Sequence, residues 1–319
     1  MKSKQICLIG GSGFVGRHLA GELTRRGHQL RVLTRKRERR RALLVFPTLE
    51  LIEADVHDSE ALGEAIDGCD AVVNLAGILN EVGGKNASFD AVHVGLPEKI
   101  AQACKDKGVG RLLHMSALNA AADAPSAYLR TKSKGEAAVQ AASDHLATTI
   151  FRPSVIFGYD DSFFNRFAWL LRVTPFVFPL ACPKAKFAPA YVEDVVTAFA
   201  DVLDDKTAFS QSYDLCGPDH YTLSELVEYT ASVCGLNRKV WGLSDGMSQL
   251  QARALERVPG KPFSIDNYRS MQVDCVCATN GFAILGVEPV SLESVVPHYL
   301  GREDRNARYQ TMRSYARRQ

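Results

Sequence analysis

The chain has 319 residues, of which 46% are hydrophobic and 23% charged, and its formal net charge is +2. These proportions are typical of a globular protein, and the small net charge argues against nucleic acid as a partner. No apolar run is long enough to span a bilayer, and we expect no secretory signal at the start of the sequence. The eight cysteines include no Cys-x-x-Cys pair, which predicts reduced thiols in a cytoplasmic protein and no metal site.

A glycine-rich turn follows the first predicted strand, which ends at Ile9, and an apolar pattern of helical spacing begins after it. A turn from strand to helix over a pyrophosphate needs glycine for the sharp bend, for close approach of the backbone and for helix packing. The helix N-terminus then offers free N–H groups. Tight turns without a ligand also carry glycines, but the position after an apolar strand favours a dinucleotide site. The predicted contacts from this turn are Gly10, Gly13, Phe14, Val15 and Gly16.

A basic run follows the second predicted strand, residues 29–33. In dinucleotide-binding folds an acid at this strand end binds the 2′-hydroxyl of NAD, whereas an arginine accommodates the 2′-phosphate of NADP. Arg35 stands at that place, nineteen residues after Gly16. Because a guanidinium can hold a phosphate through two hydrogen bonds, the sequence predicts NADP(H) as the preferred cofactor and NAD(H) as the alternative. Arg37 is a second predicted contact, and residues 39–41 are interpreted as a solvated helix face.

Strands and helices continue to alternate up to about residue 154. Further strands are predicted at 49–56, 71–77, 111–115 and 148–152, and helices over 59–66, 89–107 and 126–142. The fourth strand is almost continuously apolar, as expected where both faces of a parallel sheet are buried. The pattern predicts an α/β fold, a doubly wound parallel sheet of Rossmann type.

The pattern loosens beyond Pro153, where prolines and glycines become frequent. A helix is predicted over 191–203, and a short strand over 211–216 could return to the sheet. We therefore predict a Rossmann domain of residues 1–154 plus about 191–216, and a smaller, mainly helical substrate lobe of about 155–190 and 217–300. Residues 301–319 form a basic tail, which is either solvated or a contact for a partner or an anionic membrane surface.

Ser116, Tyr128 and Lys132 are the predicted catalytic residues. Ser116 follows the fifth strand at the carboxyl edge of the sheet, where ligands of open α/β sheets bind, and Tyr128 and Lys132 are four residues apart on one helix face. A neighbouring ammonium lowers the pKa of a phenol. Tyr128 would exchange a proton with the substrate oxygen, Ser116 would hold that oxygen, and Lys132 would tune the tyrosine and bind the nicotinamide ribose. The hydride would belong to the cofactor.

Several motifs together resemble the short-chain dehydrogenase/reductase superfamily. They are the glycine turn at 10–16, Asp55, residues 74–77, Ser116, the Tyr-x-x-x-Lys pair and the dipeptide at 152–153. Residues 191–195 resemble its extended, epimerase/dehydratase-type branch. Residues 114–118, 128–132, 152–158 and 161–167 are similar to an atypical group that includes the Rossmann-type accessory subunit of respiratory complex I and its bacterial relatives. The resemblance covers roughly residues 5–205.

The resemblance implies a Rossmann lobe that holds NADP(H), with Asp55 beside the adenine. The other cofactor contacts that it implies are Val56, Leu75, Ala76, Gly77 and Pro153, together with Tyr128 and Lys132. Two features depart from the extended family. Ser116 and Tyr128 are only twelve residues apart, and His93 stands where that family usually has an asparagine. His93 is either a proton carrier or a packed core histidine.

Three functions remain open at this point. The first is an NADP(H)-dependent oxidoreductase that acts on a carbonyl or hydroxyl of an unidentified small-molecule substrate, for which a hydrophobic or quinone-related compound is one option. The second is a non-catalytic nucleotide-binding accessory or assembly protein of a respiratory complex, located in the cytoplasm and peripherally at the inner membrane. The third is a nucleotide-sugar epimerase or dehydratase, which Arg35 disfavours because such enzymes usually use NAD.

Apolar and aromatic residues crowd positions 163–178, beside Arg166 and Arg172. Two interpretations are open. The segment is either the packed core of the substrate lobe or an apolar face that meets a hydrophobic substrate, a lipid surface or a membrane complex.

Overall fold

The structure is a computed structural model that describes residues 2–81, 83–84, 86–259 and 261–301. The strands are β1 (Gln5–Ile9), β2 (Gln29–Thr34), β3 (Leu49–Glu53), β4 (Ala71–Asn74), β5 (Arg111–Met115), β6 (Ala147–Pro153), β7 (Ile156–Phe157), β8 (Val177–Leu180), β9 (Lys186–Phe187), β10 (Ala190–Tyr191), β11 (Gln211–Leu215), β12 (Tyr221–Thr222) and β13 (Lys239–Gly242). The α-helices are α1 (Phe14–Arg25), α2 (Ser59–Ile66), α3 (Leu96–Lys107), α4 (Ala127–Ala141), α5 (Phe164–Val173), α6 (Val192–Asp201), α7 (Leu223–Val233), α8 (Asp245–Leu255), α9 (Ile265–Ser270), α10 (Gly281–Ile284) and α11 (Leu292–Leu300). A 3-10 helix over Arg37–Val45, a second over Lys206–Ala208 and a π-helical turn over Ala91–Gly95 lie between them.

Seven parallel strands form the central sheet, in the order β3-β2-β1-β4-β5-β6-β11. The strand order reverses between β1 and β4, and ligands of such sheets bind at the carboxyl ends of the strands beside this reversal. The predicted Rossmann fold is confirmed, and so is the predicted return of the strand near residue 211, which pairs with β6.

Successive residues of the central strands serve opposite faces of the sheet. In β1, Ile6 and Leu8 pack into the core under α1 and α6, whereas Cys7 and Ile9 pack into the core under α2, α3 and α4. All four side chains are fully buried. Burial on both faces explains why these strands are almost continuously apolar, and the helices on each side hold the glycine turn and the strand ends in a fixed relation.

The second half of the chain has its own apolar clusters, in which α5 packs with α7 and α11. It also contains three two-stranded pairs: β7 with β10, β9 with β12 and β8 with β13. The sequence predicted a mainly helical lobe and missed these strands, because strands of two to four residues are too short to show an alternating pattern. The boundaries between the two predicted domains stay a prediction, and the basic tail beyond residue 301 lies outside the described residues.

The aromatic segment at 163–178 divides into two groups. Phe164, Leu171 and Phe178 are buried in the second half's core, as the first interpretation predicts, whereas Trp169 and Phe176 are exposed. Within the described ranges, no helix combines the length and apolarity needed to cross a membrane. Nor do three or more His, Cys, Asp or Glu side chains of those ranges converge as metal ligands would.

Cys216 and Cys277 form a disulfide, with an S–S distance of 1.99 Å. The prediction of reduced thiols is therefore wrong for this pair, while the other six cysteines remain thiols. The two residues are 61 positions apart, so only the fold brings their Cα atoms within bonding range. The disulfide ties the end of β11 to the segment that follows α9.

Candidate functional site

The glycine turn between β1 and α1 is shaped by close backbone contacts. Gly10 has a φ of +78°, a backbone conformation that residues other than glycine rarely adopt. A Cβ there would lie 2.8 Å from the Ala76 nitrogen. A Cβ at Gly16 would lie 2.5 Å from the Gly11 Cα. Gly13 is the N-cap of α1, and no side chain caps this end of the helix. The first N–H groups of α1 therefore have no side-chain acceptor at the cap.

Phe14 and Val15, two further predicted contacts, are the first residues of α1 and directly follow the turn. Their side chains are partly buried and pack against the core under α1. The Gly13 N–H donates to the Gly10 carbonyl at 2.9 Å, which closes the turn. The predicted contacts at the turn therefore lie together at the carboxyl end of β1.

A cleft of about 500 Å³ opens beside the turn and carries a concentrated positive charge. Its lining residues are Gly10, Ser12, Leu33, Thr34, Arg35, Lys36, Arg39, Arg40, Ala54, Val56 and Ala76. Four of them are cations and none is an acid. The sequence analysis assigned Arg39 and Arg40 to a solvated face, but the 3-10 helix after β2 turns them towards the cleft. A 3-10 helix places residues i and i+3 on one side, so the spacing of Lys36 and Arg39 was the signal that could have shown this.

Arg37, a predicted cofactor contact, does not line the cleft. Its backbone N–H donates to Glu53 Oε2 at 2.9 Å, which anchors the start of the 3-10 helix to the end of β3. Asp55 follows β3 at the rim, where its carboxylate accepts from the His57 N–H at 3.0 Å and from Asn86 Nδ2 at 3.4 Å. The next residue, Val56, lines the cleft.

The segment after β4 forms the opposite wall. Asn74 is buried, and its Oδ1 accepts from the Ala76 N–H at 3.1 Å, which sets the bend of the chain. The Leu75 N–H donates to the Ile9 carbonyl at 2.8 Å. Gly77 then comes close to helix α4, because a Cβ there would lie 3.2 Å from Lys132 Nζ. The wall therefore runs from the basic cleft to the predicted triad.

Ser116 and Lys132 lie together at the end of β5, and Tyr128 lies one helical turn before Lys132 on α4. Lys132 Nζ donates to the carbonyl of Met115 at 3.1 Å, which holds the ammonium beside Ser116. Ser116 is only 3% exposed, and its Oγ has no hydrogen-bond partner among the described residues. Pro153, at the end of β6, accepts from the Leu118 N–H at 3.1 Å and so shapes the chain just after Ser116.

Burial controls the ionisation of the triad. It lowers the pKa of Lys132 to about 8, against the opposing effect of the Glu136 carboxylate. It also raises the pKa of Tyr128, and the neighbouring Cys275 thiol adds to this rise. The predicted lowering of the Tyr128 pKa by Lys132 is therefore wrong, because desolvation sets the direction of the shift. Tyr128 is protonated at neutral pH, which suits a group that donates a proton.

His93 is a packed and fully satisfied core residue. Its Nε2 accepts from the Ile78 N–H at 3.1 Å, so the neutral ring carries its proton on Nδ1, which lies 3.1 Å from Thr131 Oγ1. Its ring stacks on Phe89 and meets Tyr128 edge to face. Burial and the Lys132 charge lower the pKa of His93 to about 3. The His93 ring therefore packs against Tyr128 and stays neutral near neutral pH, so that it does not carry protons there.

Two residues of the second half reach the triad and were missed by the sequence analysis. Asp266 accepts from the N–H groups of Ala127 and Tyr128, at 2.7 and 3.0 Å, and so caps helix α4. Cys275 lies near Tyr128, and its carbonyl accepts from Ser154 Oγ at 2.9 Å. Asp266 is 139 residues from Ala127, so no local pattern could have connected them.

The arrangement can be compared with known proteins. A family model described as NAD(P)H-binding matches residues 10–162. The chain is 31% identical over 298 residues to NADH dehydrogenase [ubiquinone] 1 alpha subcomplex subunit 9, mitochondrial, of Rattus norvegicus, a match that covers 90% of this chain and 77% of the rat protein. The chain belongs to this subunit 9 family. Both the predicted resemblance to the complex I accessory subunit and the NAD(P)-binding Rossmann domain are confirmed.

Other relatives in the short-chain dehydrogenase/reductase superfamily are more distant. The chain is 26% identical over 260 residues to 3 beta-hydroxysteroid dehydrogenase/Delta 5-->4-isomerase of Mycobacterium tuberculosis, which covers 72% of this chain and 70% of that protein. The solved structure of MoeE5 in complex with UDP-glucuronic acid and NAD superposes with a TM-score of 0.72 at 18% identity, covering 95% of this chain and 99% of that one. At this identity the superposition shows a shared fold.

The residues present fit a dinucleotide. The glycine turn leaves room where a Cβ at Gly10 would touch the neighbouring backbone, and α1 begins with an uncapped N-terminus. Four cations line the cleft, and the buried Ser116 hydroxyl at the end of β5 has no partner within the described ranges. Cations suited to phosphate and a polar group suited to a ligand are therefore both present at the carboxyl edge of the sheet.

Proposed function

We propose that the protein is an NADP(H)-dependent oxidoreductase that reduces a carbonyl group of a small, apolar substrate. The observation that carries this proposal is the buried hydroxyl of Ser116, which has no hydrogen-bond partner in the described part of the chain and lies next to a Lys132 ammonium held by the Met115 carbonyl. A buried hydroxyl without a partner is costly unless a ligand completes its hydrogen bonds.

The basic cleft supports NADPH as the preferred cofactor. A 2′-phosphate adds negative charge at the adenosine ribose, and Arg35, Lys36, Arg39 and Arg40 supply positive charge where that ribose binds in this fold. An arginine fork matches phosphate geometry better than it matches a hydroxyl. NADH would lack this contact and would bind more weakly.

The triad residues have separate roles in the proposed reduction. When bound, the nicotinamide supplies the hydride. The Ser116 hydroxyl donates a hydrogen bond to the carbonyl oxygen, and Tyr128, protonated because burial raises its pKa, gives its proton to that oxygen as charge develops. Lys132 binds the cofactor ribose and stabilises the phenolate that remains after proton transfer.

Apolar side chains around the triad support a hydrophobic substrate. Ala117 and Ala121 cluster with Tyr128, and Leu118 clusters with Ala188 and Cys275. Such a lining favours an apolar ligand held by a few polar groups, and one relative bears the name of a hydroxysteroid dehydrogenase. A quinone-related or steroid-like carbonyl compound fits this description better than a nucleotide sugar does.

A second candidate function is a nucleotide-binding accessory or assembly protein of a respiratory complex. The similarity to the rat complex I subunit over 90% of this chain favours it. In that role the nucleotide would stabilise the fold, and the triad would not turn over. Either role suits a cytoplasmic protein that attaches peripherally to the inner membrane. The third candidate, a nucleotide-sugar epimerase, has support only from the shared fold, and the cationic cleft argues against its usual NAD.

A screen of carbonyl substrates with NADPH tests the proposal. We expect Tyr128→Phe to lower the rate by about 10²-fold or more, the usual contribution of general acid catalysis, while NADPH affinity stays within about twofold because the phosphates are held elsewhere. Lys132→Ala should lower both the rate and the affinity. Lys134→Ala, an exposed lysine on the same helix, is the control and should match the wild type. Equal rates for Tyr128→Phe and the wild type would contradict the proposed chemistry.

A further inference from the structure

An exposed apolar surface lies on the second half of the chain. We call it the aromatic face, and its members are Trp169, Val173, Phe176, Val177 and Trp241. Trp169 is 59% exposed, Phe176 80% and Trp241 56%. Single exposed apolar residues are common, but a cluster of large ones on one side of a protein marks an interaction site.

The five residues follow one another across neighbouring elements. Trp169 and Val173 are one turn apart on α5 and point away from the buried side, which Ala168 and Leu171 form. The chain then turns directly into β8, which pairs in parallel with β13. In this register Val177 lies opposite Lys239 and Pro179 opposite Trp241, and the residues between them on β8 are buried. The outer side of α5 therefore continues onto the outer side of the strand pair.

Phe176, between α5 and β8, has a strained backbone conformation. Its φ is +57°, a region that non-glycine residues rarely adopt. A hydrogen bond from the Val177 N–H to the Pro175 carbonyl, at 2.7 Å, spans Phe176. The Lys239 N–H donates to the Phe176 carbonyl at 3.0 Å. The chain thus holds an aromatic ring outwards at a cost in both backbone strain and exposure. Such costs persist where they serve a function.

The two segments that build the face carry positive charge and no negative charge. Between Asp161 and Glu193 the sequence contains two arginines and two lysines and no acid, and between Glu228 and Asp245 it contains Arg238, Lys239 and no acid. Arg238 Nε donates to the Leu171 carbonyl at 3.1 Å, so its guanidinium is fixed at the junction of α5 and β13. Of the cations in these segments, Lys186 pairs with Asp274 at 3.7 Å, whereas Lys239 lies opposite Val177 of the face. Cations therefore flank the apolar face.

From this combination we infer that the aromatic face binds the surface of an anionic phospholipid bilayer. Tryptophan and phenylalanine lie favourably at the level of the lipid headgroups, and lysine and arginine are attracted to their phosphates. A protein partner of ordinary composition would not require a rim without acids, whereas an anionic membrane would repel acids there. The inference concerns a surface distinct from the cleft and the triad, so it stands independently of the proposed reaction.

Tryptophan fluorescence and vesicle flotation test the inference directly, because Trp169 and Trp241 are the only two tryptophans of the chain. With the full chain and vesicles of phosphatidylcholine plus cardiolipin, we expect co-flotation at low salt and a blue shift of the emission. Vesicles of phosphatidylcholine with brominated acyl chains and cardiolipin should quench the emission, since quenching requires the indoles to enter the bilayer. Vesicles of phosphatidylcholine alone should bind about tenfold less.

Matched variants distinguish binding through the aromatic face from nonspecific hydrophobic binding to vesicles. Trp169→Ser combined with Phe176→Asn should lower binding by about tenfold or more, and Asn also tolerates the positive φ at this position. Lys184→Ser combined with Lys239→Ser should weaken binding to anionic vesicles and reduce its salt dependence. Val45→Ser combined with Ile284→Ser removes comparably exposed apolar residues elsewhere and should bind as the wild type does.

No flotation on cardiolipin vesicles at low salt would overturn the inference, as would equal binding by the face variant. Comigration with a large protein complex in the absence of vesicle binding would also overturn it.

Discussion

At the scale of single residues, cofactor choice rests on the cations of the cleft. Arg35 lines it directly after β2, in the position that reads the adenosine ribose. We expect Arg35→Asp to remove the preference for NADPH over NADH, because loss of one charge-assisted contact costs about 1.5–3 kcal/mol, or roughly tenfold to a hundredfold in affinity. Fluorescence titration of both nucleotides measures this. Arg41→Asp is the control, since Arg41 pairs with Glu38 and does not line the cleft. An unchanged preference in Arg35→Asp would exclude Arg35 as the specificity residue.

The buried side chain of His93 leads to a second prediction at this scale, on how stability depends on pH. The pKa of His93 in the folded protein is about 3, below its value of about 6.5 in the unfolded chain. Between these values the unfolded chain binds a proton that the folded protein excludes, so stability falls as the pH drops through this window, by up to about 1.4 kcal/mol per pH unit. His93→Asn should make the decline shallower. Urea unfolding at a series of pH values measures the slope. His220→Asn, at an exposed position, should keep the wild-type slope, and an unchanged slope in His93→Asn would contradict the assignment.

At the scale of elements, helix α4 is held by contacts from both halves of the chain. Ser126 caps it locally, with its Oγ accepting from the Leu129 N–H at 3.2 Å, and Asp266 accepts from the first two N–H groups of the helix, those of Ala127 and Tyr128. We expect Asp266→Ala to lower the free energy of unfolding by about 0.5–2 kcal/mol, the usual cost of a lost N-terminal cap. Denaturant unfolding measures this. Asp123→Ala changes an exposed acid shortly before the helix and should have little effect. Equal stability of the two variants would show that Asp266 does not support α4.

The elements also show what the sequence could and could not predict. The central strands and α1 were predictable because their apolar patterns are local, and Gly10, Ser116 and Tyr128 follow from motifs on those elements. The position of Arg39 and Arg40 in the cleft could not be predicted in this way. They belong to the 3-10 helix after β2, whose basic composition resembles that of a solvent-exposed helix. Asp266 and the Cys216–Cys277 disulfide depend on contacts between distant segments. Such contacts leave no periodic signal in a single sequence.

At the scale of the whole molecule, the segment over 264–277 joins the second half of the chain to the carboxyl edge of the sheet. Asp266 reaches α4, the Asp274 carbonyl accepts from Asn119 Nδ2 at 2.9 Å, and Cys277 is bonded to Cys216 at the end of β11. These contacts hold the segment to α4, to the chain after β5 and to the end of β11. Nucleotide binding in the first half and the packing of the second half are therefore physically connected through α4 and the strand ends.

This connection makes the thermal response to nucleotide a property of the whole protein. A ligand that binds only the folded state stabilises it by about 2.7 kcal/mol at a hundredfold excess over its Kd. We expect NADPH to raise the melting temperature more than NADH at equal concentration, and Arg35→Asp to remove that difference. Tyr128→Phe should keep the stabilisation while losing turnover, because the phosphates are held at the glycine turn and the cleft. Scanning fluorimetry beside the reductase screen gives both readouts. A wild type that NADPH stabilises strongly, but that reduces no carbonyl compound, would overturn the oxidoreductase proposal and support the accessory role that the rat relative suggests.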